Sequence, residues 1–231
     1  MASDLENMRG KFITFEGGEG TGKSTQASML AQRLESLGIP VQLTREPGGS
    51  LGAEIIRHVL LSGAAKPLGA EVEAMLFAAA RDDHVQRTIL PALQNGKWVI
   101  SDRFADSTRV YQGNLGKVDQ RLINVLERVS VGDVAPDLTL ILDVPVELGI
   151  ERAKHRRGGA MPDRFEAENA EFHQQLRDGY LAIAAKEPDR CVVIDASPAE
   201  EVVASAVWST IQSRLQPAPL PRAAEELAAK S

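Results

Sequence analysis

Eight residues near the start of the sequence have the types and the spacing that bind phosphate. Residues 17–24 read Gly-Gly-Glu-Gly-Thr-Gly-Lys-Ser and fit the pattern G-x-x-x-x-G-K-[ST]. Glycines let the backbone N–H groups of such a loop turn inward around phosphate oxygens. Lys23 can reach the outer phosphates, and the hydroxyl of Ser24 can ligate Mg²⁺. The residues expected to contact the phosphates are Gly17, Gly18, Glu19, Gly20, Thr21, Gly22, Lys23, Ser24 and Thr25.

The segments that flank this loop are those that the motif requires. Residues 11–16, Lys-Phe-Ile-Thr-Phe-Glu, are typical of a short buried strand. After the loop, apolar residues recur at helical spacing from Ala27 to Leu37, and Gly38 can end this helix. The start of the helix adds partial positive charge at the loop. This context favours a phosphate site over a glycine-rich turn that binds nothing.

Strands and helices alternate along the rest of the chain, which predicts an α/β fold. A five-stranded parallel sheet with helices on both faces forms three layers, and its ligand lies at the carboxyl ends of the strands. Pro91 is expected to end or kink the longest helical stretch. The further strands are expected at residues 41–44, 98–102, 138–144 and 191–195, and the further helices at 51–61, 69–94, 106–112, 119–131, from 146, at 164–186 and at 199–214.

Three of the predicted strands end in an aspartate, at Asp102, Asp143 and Asp195. On pattern alone, any of them could be the Mg²⁺-organising acid that such enzymes place at a strand end. Asp102 is the best candidate because Arg103 follows it, and an acid beside a guanidinium suits a metal–phosphate site. A structural Asp–Arg pair that holds the loop is the alternative. Asp143 precedes Val-Pro and is expected to cap the next helix.

The composition is that of an ordinary globular protein with an acidic balance. The chain has 231 residues, which is long enough for one α/β domain with a substantial core. Its residues are 43% hydrophobic and 25% charged. A net charge of −6 argues against a broad nucleic-acid-binding surface, so basic residues must gather locally around a polyphosphate. Cys191, the single cysteine, lies in an apolar run and is expected to be a buried thiol rather than a reactive one.

Nothing in the hydropathy pattern predicts a membrane protein. No apolar stretch reaches 18 residues, and residues 1–6 lack the basic and apolar regions of a signal peptide. We therefore expect a cytoplasmic protein with neither a membrane nor a nucleic acid as partner. Prolines at positions 217, 219 and 221 follow the last predicted helix, so we expect one domain over residues 1–216 and a flexible tail over residues 217–231.

Five further motifs, taken in order with the phosphate-binding loop, resemble those of the bacterial thymidylate kinases. The loop alone indicates only a nucleotide, whereas the ordered set is specific and spans about residues 11–214. The motifs are Arg45-Glu46-Pro47-Gly48-Gly49, Phe77-x-x-x-Arg81, Asp102-Arg103-Phe104, Ser107-Thr108-x-x-Tyr111-Gln112 and Asp163-Arg164-Phe165-Glu166.

The resemblance implies a fold of the P-loop NTPase type, with a single nucleoside-monophosphate kinase domain and a mobile lid. It implies transfer of the γ-phosphoryl group of ATP to dTMP, which gives dTDP and ADP for dTTP synthesis. It further implies Mg²⁺ as cofactor, ATP and dTMP as partners, and a homodimer. In such a transfer the protein supplies mainly positioning and positive charge.

The resemblance also assigns the residues that would hold dTMP. It puts the dTMP phosphate near Arg45 and Arg103, whose planar guanidinium groups can each present two N–H donors. It puts Phe77 against the thymine face and Arg81 at a thymine carbonyl, and residues four apart on a helix share a face. Core packing is the alternative for Phe77. Glu19 would approach the sugar 3′-hydroxyl, and the far side would be lined by Ser107, Thr108, Tyr111 and Gln112.

A basic run over residues 152–164 is expected to form the lid. Some thymidylate kinases carry an arginine directly after the acidic residue of the loop, but here Gly20 follows Glu19. The chain therefore resembles the class whose lid supplies the catalytic arginine, and either Arg156 or Arg157 fits that role. A solvated helix face is the alternative. The run contains Arg152, Lys154, His155, Arg156, Arg157 and Arg164, and the expected catalytic set is Lys23, Arg103, Arg156 and Arg157.

Two other functions remain open at this stage. Another small nucleotide kinase would share the loop and the lid but would need a different acceptor pocket from the one formed by Phe77, Arg81, Thr108 and Tyr111. A nucleotide-dependent switch protein would need neither an arginine-rich lid nor a second phosphate-binding pair. The guanine-reading run Asn-Lys-x-Asp, typical of GTPase switches, does not occur in the sequence.

Overall fold

The strands lie within one residue of their predicted bounds. The computed structural model describes residues 10–158, residue 161 and residues 164–217. The strands are β1 (Phe12–Glu16), β2 (Val41–Arg45), β3 (Trp98–Asp102), β4 (Leu138–Asp143) and β5 (Cys191–Asp195). They form one parallel sheet in the order β2-β3-β1-β4-β5. The predicted α/β fold with a five-stranded parallel sheet is therefore confirmed.

Helices occur near all the predicted positions, and one of them begins later than expected. The helix expected from residue 164 begins at Ala170, because the side chain of Asn169 accepts a hydrogen bond from the N–H of Phe172 at 2.9 Å and caps it there. The helices are α1 (Lys23–Ser36), α2 (Leu51–Leu61), α3 (Ala70–His84), α4 (Leu90–Gln94), α5 (Ala105–Thr108), α6 (Gln120–Val131), α7 (Val146–Arg157), α8 (Ala170–Lys186) and α9 (Glu200–Leu215).

The long helical stretch before β3 changes its hydrogen bonding ahead of Pro91. A π-helical turn over Val85–Ile89 separates α3 from α4, because proline has no N–H to continue the regular ladder. A second π-helical turn over Arg109–Leu115 follows α5. A short 3₁₀ turn over Lys66–Leu68 precedes α3. Both π-helical turns adjoin helices that carry predicted acceptor residues.

Alternate residues of the strands pack against helices on opposite faces of the sheet. Phe15 contacts a core that includes Leu34 of α1 and Ile211 of α9. Phe12, on the other face, packs edge-on against the ring of Phe104 with centroids 4.9 Å apart. Cys191 is buried as expected, and burial raises the pKa of its thiol to about 11. Within the described ranges, every helix lacks either the length or the apolar character needed to cross a membrane.

The central strand places the phosphate-binding loop where the strand order reverses. β1 pairs with β3 on one side and with β4 on the other. Crevices at such a point, outside the carboxyl ends of the strands, are where ligands bind in open α/β sheets. The loop after β1, the residues after β2 and the residues after β3 therefore meet at one edge of the sheet.

Candidate functional site

A cleft of about 380 Å³ opens at this edge. That volume lies within the range of sites that hold small molecules. Residues that were assigned a role from the sequence line it from several separate stretches of the chain, together with residues that had no assigned role. The predicted ones are Glu19, Gly20, Gly22, Lys23, Ser24, Thr25, Arg45, Phe77, Arg81, Asp102, Arg103, Ser107, Thr108, Tyr111, Gln112 and Arg156. The others are Glu46, Pro47, Arg57, Leu61, Phe104, Phe165 and Glu166.

The lysine of the phosphate-binding loop is buried and turned toward the loop itself. Its Nζ donates to the carbonyl of Gly18 at 2.6 Å and to that of Gly17 at 3.1 Å. Burial and the neighbouring Arg103 lower the pKa of Lys23 to about 8. The ammonium form therefore predominates at neutral pH, and phosphate oxygens can replace carbonyl oxygens as its hydrogen-bond acceptors.

Gly20, where some thymidylate kinases have arginine, lies against α7. Its φ of 68° is in the left-handed region, and a Cβ built there would collide with the carbonyl of Gly149. No larger side chain fits here without movement of the loop or of α7. A cation that would serve the expected phosphoryl transfer must therefore come from elsewhere.

Ser24 and Asp102 meet below the loop. The hydroxyl of Ser24 donates to Oδ2 of Asp102, which is the last residue of β3. A hydroxyl and a carboxylate are oxygen donors of the kind that Mg²⁺ takes, usually one or two from protein and the rest from phosphates and water. The described part of the chain contains no group of three or more His, Cys, Asp or Glu side chains that could hold a metal without such phosphates. The donor set therefore fits a metal that arrives with a nucleotide.

Arg103 connects the loop to the rest of the cleft from a strained backbone position. Its φ is 71°, which non-glycine residues rarely adopt. Its guanidinium donates to Oε1 of Glu19 at 2.5 Å and to the carbonyl of Gly17 at 3.1 Å. Although burial opposes ionisation, Arg103 and Lys23 lower the pKa of Glu19 to about 2. Glu19 is thus an ionised acceptor at the mouth of the loop.

Glu16 is a buried acid that sequence reasoning missed. Its carboxylate accepts from the N–H of Phe104 at 2.8 Å and from the hydroxyl of Ser107 at 2.7 Å. Burial and the charge of Asp106 raise its pKa to about 7. Glu16 therefore fixes the start of α5, which leads into the predicted acceptor residues. The only signal in the sequence was an acidic residue at the end of a strand that is otherwise uncharged.

The predicted acceptor residues form an aromatic pocket around a buried arginine. Phe77 is half-buried on α3, and its ring lies 6.4 Å from that of Phe165. The ring of Tyr111 meets Phe165 edge-on at 5.2 Å. Arg81, which is 2% exposed, donates from Nη2 to the hydroxyl of Thr108 at 3.0 Å. The arrangement offers aromatic faces and a guanidinium edge to a planar ligand.

Two charged residues at strand ends, Arg45 and Asp143, each form an ion pair. Arg45 lines the cleft from the end of β2 and donates to Glu54 at 2.8 Å. The prediction that Asp143 caps the next helix is wrong, because Pro145 occupies the position before α7. The Asp143 carboxylate instead binds Nε and Nη2 of Arg177 at 2.7 Å and 2.9 Å. Asp195 accepts from the N–H of Ser197.

The basic run begins as the last turns of α7. Arg156 lines the cleft and donates to Oε1 of Glu166 at 2.7 Å, while its Nη2 lies 4.0 Å from Oε2 of Glu19. Arg157 donates to Oε2 of Glu166 at 3.1 Å and is absent from the cleft lining. Residues 159, 160, 162 and 163 of the expected lid lie outside the described residues.

Other basic residues of this run bind elsewhere. Arg152 donates to the carbonyls of Ala196 and Ser197 at 2.7 Å and 2.8 Å, and so joins α7 to the loop after β5. Arg164 pairs with Glu73 of α3. Lys154 and His155 are exposed. A second cleft adjoins the phosphate-binding loop between α7 and the loop after β5, and it includes Ala196 and Pro198.

The sheet order, the loop at the point where that order reverses and the Ser–Asp pair define a P-loop NTPase-type protein. The arginine-lined acceptor pocket, which shares the main cleft with the loop, is typical of the nucleotide kinases of this class. Comparison with known proteins narrows the class. The family model for thymidylate kinase matches residues 15–207. The chain therefore belongs to the thymidylate kinase family.

Individual relatives agree with this assignment over most of the chain. A thymidylate kinase of Bradyrhizobium sp. (strain ORS 278) is 62% identical over 207 residues, which cover 90% of this chain and 92% of that protein. One of Nitrobacter winogradskyi is 61% identical over 209 residues, covering 90% and 91%. The crystal structure of thymidylate kinase from Ehrlichia chaffeensis matches with a TM-score of 0.69 and 37% identity, covering 88% of this chain and 99% of that one.

Proposed function

We propose that this protein transfers the γ-phosphoryl group of ATP to dTMP, giving dTDP and ADP for dTTP synthesis. The observation that carries the proposal is a single cleft in which the phosphate-binding loop faces a pocket built from Phe77, Arg81 and Tyr111. Two anionic substrates can thereby bind end to end. Positioning of this kind is the main requirement of phosphoryl transfer.

We propose that the ATP phosphates bind the backbone N–H groups of residues 17–25 and the ammonium of Lys23. Ser24 and Asp102 would hold Mg²⁺, which neutralises charge on the phosphates when bound. Adenine would enter the second cleft, against the loop that Arg152 fixes through the carbonyls of Ala196 and Ser197. With these assignments, ATP, the phosphoryl donor, would bind on the α7 side of the phosphate-binding loop.

The acceptor would bind on the α3 side. Arg45 and Arg103 would bind the dTMP phosphate, Phe77 would stack on thymine, and Arg81 would donate to a carbonyl of the base. Glu19, held ionised, would accept from the sugar 3′-hydroxyl. The far side of the pocket would be lined by Ser107, Thr108, Tyr111 and Gln112, which all contact the cleft.

Arg156 is the stronger candidate for the catalytic lid arginine. Arg156 lines the cleft and lies beside Glu19, whereas the side chain of Arg157 does not line it. Both guanidinium groups bind the carboxylate of Glu166, so closure of the lid would have to exchange part of this contact for the transferred phosphoryl group. Such a contact stabilises the charge that spreads over the equatorial oxygens in the transition state.

We also propose a cytoplasmic homodimer with one catalytic domain over residues 1–216 and a tail over residues 217–231. Leu51 and Ile55 lie four residues apart on α2 and are 82% and 65% exposed, which supports an apolar face for a second copy. Light scattering should give twice the chain mass. Limited proteolysis should remove the tail without loss of turnover.

A panel of acceptors tests the proposed activity. Purified protein with ATP and Mg²⁺ is given dTMP, dCMP, dGMP, UMP or no acceptor, and ADP is measured. The proposal predicts turnover that depends on dTMP. Equal turnover without an acceptor would instead favour a switch protein, and preference for another monophosphate would favour a different nucleotide kinase.

A further inference from the structure

A chain of four polar side chains, three of them buried, runs from β2 to the base pocket. The hydroxyl of Thr44 lies 2.7 Å from Nε2 of His84, and Nδ1 of His84 lies 3.1 Å from Oε1 of Glu46. The other oxygen of Glu46 accepts from Nε of Arg81 at 2.8 Å. The side chains of His84, Arg81 and Glu46 are 0%, 2% and 5% exposed. Arg81 and Glu46 line the cleft, whereas Thr44 and His84 do not.

The directions of these hydrogen bonds follow from chemistry. Both oxygens of Glu46 face nitrogen atoms, one of the Arg81 guanidinium and one of the His84 ring, and carboxylate oxygens can only accept. Nδ1 of His84 must then carry the proton that it donates to Glu46. In the neutral imidazole this leaves Nε2 as the acceptor for the hydroxyl of Thr44. Glu46 thus sets the tautomer of His84, Thr44 holds the other ring nitrogen, and His84 fixes one oxygen of Glu46.

The packing around His84 holds the whole loop after β2 against the end of α3. A Cβ at Gly49 would collide with Nε2 of His84 and with the hydroxyl of Thr44, and Gly49 has a φ of 85°. The hydroxyl of Thr88 donates to the carbonyl of Gly49 at 2.8 Å. The loop therefore has little freedom to move Glu46 relative to α3.

Arg81 is left with one side of its guanidinium for a ligand. Nε binds Glu46, and Nη2 binds the hydroxyl of Thr108 and the carbonyl of Phe104. Among the residues that the structure describes, Nη1 has no hydrogen-bond acceptor, and Arg81 lines the cleft. A donor fixed in this way matches a base with a carbonyl at that position and opposes a base with an amino group there.

We propose that Thr44, His84 and Glu46 are positioning residues that aim Arg81 at a carbonyl of the acceptor base and so set the preference for thymine over cytosine. This inference rests on the proposed function, because it takes a pyrimidine monophosphate as the acceptor. Thr44 and His84 do not line the cleft, and Glu46, which does, binds Arg81 with one oxygen and His84 with the other. Their effect belongs to acceptor binding, and the transfer step itself should be little affected.

Two substitutions at His84, by side chains of similar size, separate the loss of the N–H donor from the loss of packing. His84→Leu removes the N–H that binds Glu46, whereas His84→Asn keeps an amide N–H near the position of Nδ1. We expect His84→Leu to raise the KM for dTMP by about tenfold and to lower the preference for dTMP over dCMP by a similar factor. Its kcat and its KM for ATP should stay within about twofold of wild type. His84→Asn should recover most of the affinity for dTMP.

Ile211→Ala is the control for loss of stability alone. Ile211 is buried on α9, on the face of the sheet that α1 covers. This variant should unfold at a lower temperature with an unchanged KM for dTMP. If His84→Leu does not fold, Thr44→Val provides the test, since it removes only the hydroxyl that orients His84. We expect that variant to raise the KM for dTMP by about threefold.

The possible results separate this inference from the proposed function. A wild-type protein that does not phosphorylate dTMP would overturn both. An active wild type, with His84→Leu changed only in kcat or changed no more than His84→Asn, would overturn the inference and leave the proposed function standing. A folded Thr44→Val with wild-type KM, where His84→Leu does not fold, would overturn it as well.

Discussion

Glu16→Gln should change how the stability of the protein depends on pH. The Glu16 carboxyl is fully buried, and burial with the charge of Asp106 raises its pKa from 4.5 to about 7. Glutamine has the shape of the neutral acid, can accept from the N–H of Phe104, and can donate to the hydroxyl of Ser107. The substitution therefore mimics the protonated side chain and removes the titration.

The sign follows from proton binding in the two states. Between pH 4.5 and pH 7 the folded protein holds a proton on Glu16 that the unfolded chain has lost, so stability falls as the pH rises through this window. The raised pKa contributes roughly 3 kcal/mol to the free energy of unfolding. This contribution is present in full below pH 4.5 and is lost above about pH 7. The free energy of unfolding of Glu16→Gln, relative to that of wild type, should therefore increase by roughly 3 kcal/mol from pH 4.5 to pH 8.

Urea unfolding at several pH values measures this difference. All other titrating groups are shared by the two proteins, so the relevant quantity is the difference in unfolding free energy between variant and wild type. Glu201→Gln, at an exposed position on α9, controls for the loss of one negative surface charge. A difference that is the same at pH 5 and pH 8 would mean that Glu16 is already ionised in the folded protein, and the reasoning would be refuted.

Three further changes test the assigned roles. Lys23→Ala should lower dTDP formation on the order of 10³-fold in a protein that still folds, since the charge of the lysine serves phosphates. Phe77→Ala should weaken dTMP binding by roughly 1–3 kcal/mol in calorimetry with little effect on ATP, and unchanged affinity would assign the ring to packing. Arg156→Ala should lower the single-turnover rate by about 10³-fold with little change in dTMP affinity, Arg157→Ala should do less, and Arg156→Lys should restore little. An Arg156→Ala/Arg157→Ala double variant with a wild-type rate would return the basic run to a solvated helix face.

Local patterns predicted what depends on local physics. The strands and the phosphate-binding loop were predictable because each occupies a short stretch with its own spacing, whereas the acceptor residues were assigned by the family resemblance. Asp143 was misassigned because the capping rule considers only the following helix, whereas Arg177 approaches from α8 with a bidentate partner.

Contacts between distant stretches could not be predicted from spacing. The role of Glu16 depends on α5, which lies about ninety residues further along the chain. Glu46 was visible only as part of a motif, and its bonds to Arg81 and His84 exist because the loop after β2 packs on the end of α3. Phe165 enters the pocket because α8 begins at Ala170 and leaves the preceding turn free to cover Phe77.

Formation of dTDP by the purified protein tests the central claim most directly. Wild type and Lys23→Ala are incubated with ATP, Mg²⁺ and dTMP, and nucleotides are separated and quantified over time. The proposed activity predicts dTDP and ADP in equal amounts from wild type and almost none from the folded variant. ADP released without dTDP, or equal dTDP from both proteins, would contradict it.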